Sequence, residues 1–155
     1  MASVVIRPAV EGDAPAIARI VHDAFAGFIP LIGRAPRPMF DDYNASVAQG
    51  DVWVLTEDDA IAGAVVLEFG DDHLLAPTIA IAPSRQSKGH GRRLVDFIEA
   101  EARRRGYSET RLRLHASMSR SIAFYKAQGY AEYCRDERDG YLRVYMRKRL
   151  TGTPA

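Results

Sequence analysis

The stretch "IAIAPSRQSKGHGRRLVDFIEAEARRRG", residues 79–106, runs from an apolar strand-like segment through a polar loop into an arginine-rich helix. The apolar run stops at Pro83, Gly89 and Gly91 sit in the loop, and Leu94, Val95, Ile98 and Ala102 recur at helical spacing. Gly106 is a fitting stop. The first N–H groups of a helix have no partner within it and lie at the positive end of its dipole. Glycines let a backbone come close to an anion, so this order predicts a phosphate site. Two phosphate motifs do not fit. A nucleoside-triphosphate loop requires G-x-x-x-x-G-K-[ST], which the chain lacks. A dinucleotide loop requires G-x-G-x-x-G after an N-terminal strand, whereas here Leu94 holds the third place, late in the chain.

On either side of this stretch the pattern is mixed. "SVVIRPA" reads as a strand, and "EGDAPAIARIVHDAFAGF" as a helix with Asp13 as N-cap and Pro15 in its first turn. "IPLIGRAPRPM" holds three prolines and a glycine, so a loop or broken helix is expected, and "FDDYNASVAQ" is a short helix ending at Gly50. "DVWVLTE" and "AIAGAVVLEF" flank a "DDA" turn. The second of these strands is apolar on both faces, which predicts helices on both sides. "HLLAPTIAIAP" is a strand interrupted at Pro77, where a missing ladder donor implies a bulge or a splayed edge. "TRLRLHA", "MSRSIAFYKAQG" and "YAEYCRDERDGYLRVYMRKRL" give a strand, a short helix and a final strand pair. Glu99–Arg103 and Glu101–Arg105 are read as i,i+4 pairs on the exposed helix face.

With 155 residues, 47% of them hydrophobic, residues 1–150 are expected to form one domain, with a disordered tail at 151–155. A formal net charge of +1 argues against a dedicated nucleic-acid binder. Charge is nonetheless uneven. Residues 41–83 carry nine carboxylates and no Lys or Arg, whereas residues 84–113 carry nine Lys or Arg against four acids. Cys134 is the only cysteine, which excludes an internal disulfide and a two-cysteine zinc or redox site. No run approaches ~18 apolar residues, so no membrane partner is expected and the chain reads as cytoplasmic.

Gln86-Ser87-Lys88-Gly89-His90-Gly91 matches the signature Q/R-x-x-G-x-G/A. With the "IAIAP" strand before it, the arginine-rich helix after it and "IAFYKAQGY" further on, nearly all of residues 4–150 resembles the GNAT N-acetyltransferase superfamily. The resemblance implies an α/β (α+β) fold. Its central sheet would be mixed and mostly antiparallel, with six to seven strands, about four flanking helices and a splayed cofactor-binding strand. It implies acetyl-CoA as cosubstrate and no metal. Carried over residue by residue, Gln86, Ser87, Lys88, Gly89, His90, Gly91 and Arg92 would contact the pyrophosphate. The backbone of Ile79, Ala80 and Ile81 would pair with the pantetheine arm.

Acetyl transfer needs a neutral amine, a stabilised oxyanion and a proton for the departing thiolate. Met118, Ser121, Ile122 and Tyr125 share a helix face. Tyr125 stands where the family places its general acid. Met118 occupies a position at which many members carry Asn; it cannot make that hydrogen bond, and Ser121, as a cofactor contact, is expected to substitute in part. For the base the reading stays open between Glu68, His73, His115 and a water relay. Glu68, with Val66 and Ala64 on its face, is the candidate for base or water relay. By the same resemblance "FAGFIPLIGRAPRPMFDDY" walls the acceptor. Phe28, Ile29, Met39, Phe40 and Tyr43 either form an apolar pocket or pack in the core, and Asp41 and Asp42 either draw an ammonium or cap a helix. The resulting expectation is transfer of acetyl to a primary amine of a small molecule. The alternatives are a protein or peptide amine, or a non-catalytic acyl-CoA sensor. A homodimer is compatible with the fold.

Overall fold

The computed structural model describes residues 3–150; the 151–155 tail expected to be disordered lies outside the described residues. The strands are β1 (Val4–Pro8), β2 (Val52–Glu57), β3 (Ala60–Phe69), β4 (Leu74–Ile81), β5 (Glu109–His115), β6 (Ala131–Arg138) and β7 (Tyr141–Arg149). The α-helices are α1 (Ala14–Ala26), α2 (Ile29–Ile32), α3 (Tyr43–Ala48), α4 (His90–Arg104) and α5 (Ser119–Ala127). The strands form one sheet in the order β1-β2-β3-β4-β5-β7-β6. Among the described residues β4 pairs parallel with β5, while β1–β2, β2–β3, β5–β7 and β6–β7 are antiparallel. This is the expected mixed sheet, with the one-turn helix α2 added to the expected helices. By their contacts the described residues fall into two compact units, one up to residue 67 with 78–94, the other 68–77 with the residues from 95 on. No helix among the described residues is long and apolar enough to cross a membrane.

In the first unit, α1 packs on α3 and on a 3-10 turn at Arg37–Phe40. It buries Ile17, Ile20, Val21 and Phe25, at the expected spacing. Asp13 precedes α1 without capping it. Its carboxylate accepts the Val10 N–H (2.8 Å) and pairs with Arg7 (2.7 Å), which holds it below the usual carboxylate range. The reason is local: Asp13 closes a preceding 3-10 turn, so its side chain folds back toward β1. The β2–β3 hairpin turns through Asp58 and Asp59, both with positive φ. Ala62, Gly63, Ala64 and Val65 are consecutive and all buried, so both faces of β3 are covered there.

Gly63 marks a close approach of backbones. A Cβ on it would lie 3.0 Å from the carbonyl oxygen of Ala80 in β4. Gly63→Ala is therefore expected to destabilise the fold by about 1–3 kcal/mol, because backbone rather than a side-chain tip must yield. Urea unfolding measures this.

In the second unit, pairing of β4 with β5 covers Leu74, Leu75 and Ala76 and stops before Pro77. β4 itself runs unbroken through Pro77, so what ends there is the pairing with β5 and not the strand, as suits a residue with no N–H to give. Glu99 corrects the surface reading of α4. It is buried and pairs not with Arg103 but with Lys148 of β7 (3.0 Å). The Tyr130 hydroxyl donates to it (3.1 Å), and Thr110 Oγ1 lies 2.8 Å from that hydroxyl. A carboxylate only accepts, so the Tyr130 proton goes to Glu99 and Thr110 donates to Tyr130. Glu101 keeps its expected partner Arg105 (2.7 Å) and adds Arg104. Cys134 lies exposed on β6.

Candidate active site

The loop that opens α4 belongs wholly to the first unit. After β4 a 3-10 turn, Pro83–Arg85, is followed by Gln86 in extended conformation. Ser87 (φ 64°) and Gly89 (φ 81°) then both enter the left-handed region. Glycine does so freely; serine does so at a cost, which marks a conformation imposed by its surroundings. The first hydrogen bond into α4 runs from the Arg93 N–H to the Gly89 carbonyl (3.1 Å). The N–H groups of His90, Gly91 and Arg92 therefore precede the helical ladder and remain for an anion.

Side chains fix this loop. Gln86 Nε2 donates to the Ile81 carbonyl (3.1 Å), and an Arg93 guanidinium N–H donates to the Lys88 carbonyl (3.1 Å). Gln86, Ser87, Lys88, Gly89 and Arg92 are exposed and Gly91 is half-buried. His90 differs from the expectation. Its side chain is 1% exposed, so the imidazole has no face to offer a cofactor and only its N–H is available. Helix geometry explains this: position 90 lies one turn before Leu94, on the buried stripe.

Sequence reasoning missed Glu57 altogether. The last residue of β2, it is buried, and its carboxylate meets Arg85, Lys88 (3.6 Å) and His90 Nε2 (3.5 Å). The Arg85 hydrogen bond above all holds it below the usual carboxylate range.

The groups proposed for proton transfer lie in the second unit. Tyr125 is buried on α5, edge-on to Phe124 (5.2 Å) and Tyr130 (6.2 Å). A phenol already carries its proton at neutral pH, as a general acid requires, and burial pushes the Tyr125 hydroxyl further above the ordinary phenol range. Met118 stands at the N-cap of α5, buried and without a side-chain capping bond, and Ser121 is half-buried.

Glu68 is exposed, in contrast to the apolar surroundings expected of it. It stands next to the end of β3, where burial gives out. His73 follows the turn after β3, bound to Asp72 (2.7 Å). His115 Nδ1 accepts the Ser117 N–H (3.0 Å). Burial holds the His115 imidazole below its ordinary 6.5. An NMR titration should find its midpoint below that value. Since the unfolded chain takes up this proton at the higher pH, acidification through 6.5 costs stability, and that cost disappears in His115→Gln.

Of the residues proposed for the acceptor wall, Tyr43 is in the core, its hydroxyl donating to the Pro38 carbonyl (2.6 Å). Asp42 caps α3 by accepting the Ala45 N–H (3.2 Å). Phe28, Ile29 and Met39 are half-buried, and Phe40 is exposed.

Comparison with known proteins decides the family. The family described as "Acetyltransferase (GNAT) domain" matches residues 48–132, which include β2, the glycine loop and α5. The chain belongs to the GNAT acetyltransferase family. As a member it is an acetyl-CoA-dependent N-acetyltransferase. No curated protein sequence matches it. Among solved structures, the ribosomal-protein-S18-alanine N-acetyltransferase of Escherichia coli superposes with a TM-score of 0.77 at 20% identity, over 98% of this chain and 97% of that one. The PaiA N-acetyltransferase of Thermoplasma acidophilum, solved with coenzyme A, gives 0.77 at 17% identity, over 95% and 99%. N-acetylglutamate synthase of Neisseria gonorrhoeae, solved with coenzyme A and N-acetyl-glutamate, gives 0.74 at 21% identity, over 98% of this chain and 36% of that one. At these identities the likeness to this GNAT chain is one of fold.

Proposed function

We propose that this GNAT enzyme moves an acetyl group from acetyl-CoA to the primary amine of a small molecule by direct attack in a ternary complex. The observation that carries the acetyl-CoA half of the reading is the loop at 86–92, where a left-handed serine and glycine precede three helix N–H groups that lie outside the ladder. Those amides would take the pyrophosphate, and Lys88 and Arg92 would add charge. The pantetheine arm would pair with the backbone of Ile79, Ala80 and Ile81, beyond the point at which β4 stops pairing with β5. Acetyl-CoA supplies the thioester carbon that the amine attacks. As the C–S bond breaks, Tyr125 gives its hydroxyl proton to the leaving thiolate and takes one back from water before the next turnover. The amine proton leaves to water, relayed by Glu68 or directly.

The test is thermal stability with acetyl-CoA, CoA, ATP and NAD added separately, followed by an amine screen. A ligand at about a hundred times its dissociation constant adds ~2.7 kcal/mol to a fold that alone binds it. Stabilisation by the CoA compounds only, then turnover with a small amine, is the expected outcome. Turnover confined to peptides would move the acceptor to a protein amine. Binding without any turnover would make this a sensor. A larger response to ATP or NAD would overturn the loop reading.

A further inference from the structure

We propose that Glu57 is a positioning residue for the pyrophosphate loop, its buried carboxylate tying Arg85, Lys88 and His90 to the end of β2. The inference rests on the acetyl-CoA reading of that loop. A carboxylate 7% exposed is costly to bury unless it is paired. Here the partners come from three successive places along the loop. Arg85 stands before it, Lys88 inside it, and His90 at the first residue of the helix. One rigid strand end thus holds both flanks and the middle of a segment that includes the strained Ser87.

His90 is oriented for this. Its Nδ1 lies 3.3 Å from an Arg93 guanidinium nitrogen, which can only donate, so the ring proton belongs on Nε2. Nε2 is buried, has no hydrogen-bond partner among the described residues, and stands 3.5 Å from Glu57 Oε2. Lys88, half-exposed and 3.6 Å from Oε1, keeps its ammonium close to the surface.

The sign of one substitution tests the idea. By charge alone, a carboxylate next to a pyrophosphate site repels the ligand, so Glu57→Gln would tighten binding. If Glu57 positions the loop, Glu57→Gln weakens it. The expected result is a dissociation constant for acetyl-CoA raised about tenfold or more, the scale of lost hydrogen bonds to a charged group. S-acetylpantetheine, which has no pyrophosphate, should bind within about twofold of the parent in NMR titration, since it makes none of the loop contacts.

Arg85→Met, which cuts the same tie from the half-exposed side, should reproduce the loss and keep the test open if Glu57→Gln does not fold. Where Glu57→Gln folds, the double variant should lose little more than either single one. Unchanged or tighter acetyl-CoA binding in Glu57→Gln, or in Arg85→Met if that variant alone folds, would overturn the proposal. So would equal losses for both ligands. If the parent chain itself fails to bind acetyl-CoA, the functional reading falls instead.

Discussion

Tyr125→Phe should bind acetyl-CoA as the parent does while losing about 10²–10⁴-fold in turnover, the range that one general acid contributes. Phenylalanine keeps the ring that packs edge-on to Phe124 and Tyr130, so the fold is expected to hold. What disappears is the hydroxyl and its one proton, which any phenol carries at neutral pH and which burial here holds more tightly still. Steady-state kinetics with the amine found in the screen, set beside calorimetric acetyl-CoA binding, separate the two effects. Unchanged turnover would remove Tyr125 from the mechanism. Loss of binding in parallel would recast it as a cofactor contact.

Glu99→Ala should have the largest effect on stability, about 3 kcal/mol, because it strands a lysine and a tyrosine at once. Lys148 Nζ would keep only the Gln128 carbonyl (2.9 Å), and the Tyr130 hydroxyl would lose its acceptor. For a chain of this size that corresponds to a melting temperature lower by roughly 6–12 °C. Glu99→Gln retains an acceptor for Tyr130 and should cost less. A Glu99→Ala variant as stable as the parent would mean that the network adds nothing to folding.

The glycine loop and α4 were legible because they are local. Loop glycines, a helical stripe and a stop at Gly106 lie within thirty residues, and the family signature sits among them. Pro77 was legible for the same reason: a missing donor acts at its own position. Glu57 was not. It adjoins Asp58 and Asp59 and reads as one more carboxylate in an acidic hairpin. Its partner Arg85 is 28 residues away and meets it only through the pairing of strands. Glu99 misled in the opposite way, since a nearby arginine offered a plausible surface pair while the helix turned the carboxylate inward toward β7. Glu68 looked sheltered from its neighbours in sequence, but stands where the cover over β3 ends.

The accessible sulfur of Cys134 bears on how these experiments are read. CoA released in turnover is itself a thiol, so a colorimetric thiol reagent counts Cys134 along with product. Each progress curve will begin with a step equal to the enzyme concentration, which is labelling and not a catalytic burst. Air oxidation can also join two chains through this residue, and a species of doubled mass on a column run without reductant would then record handling. Cys134→Ser removes both signals, and a dimer that persists in it is held by surfaces alone.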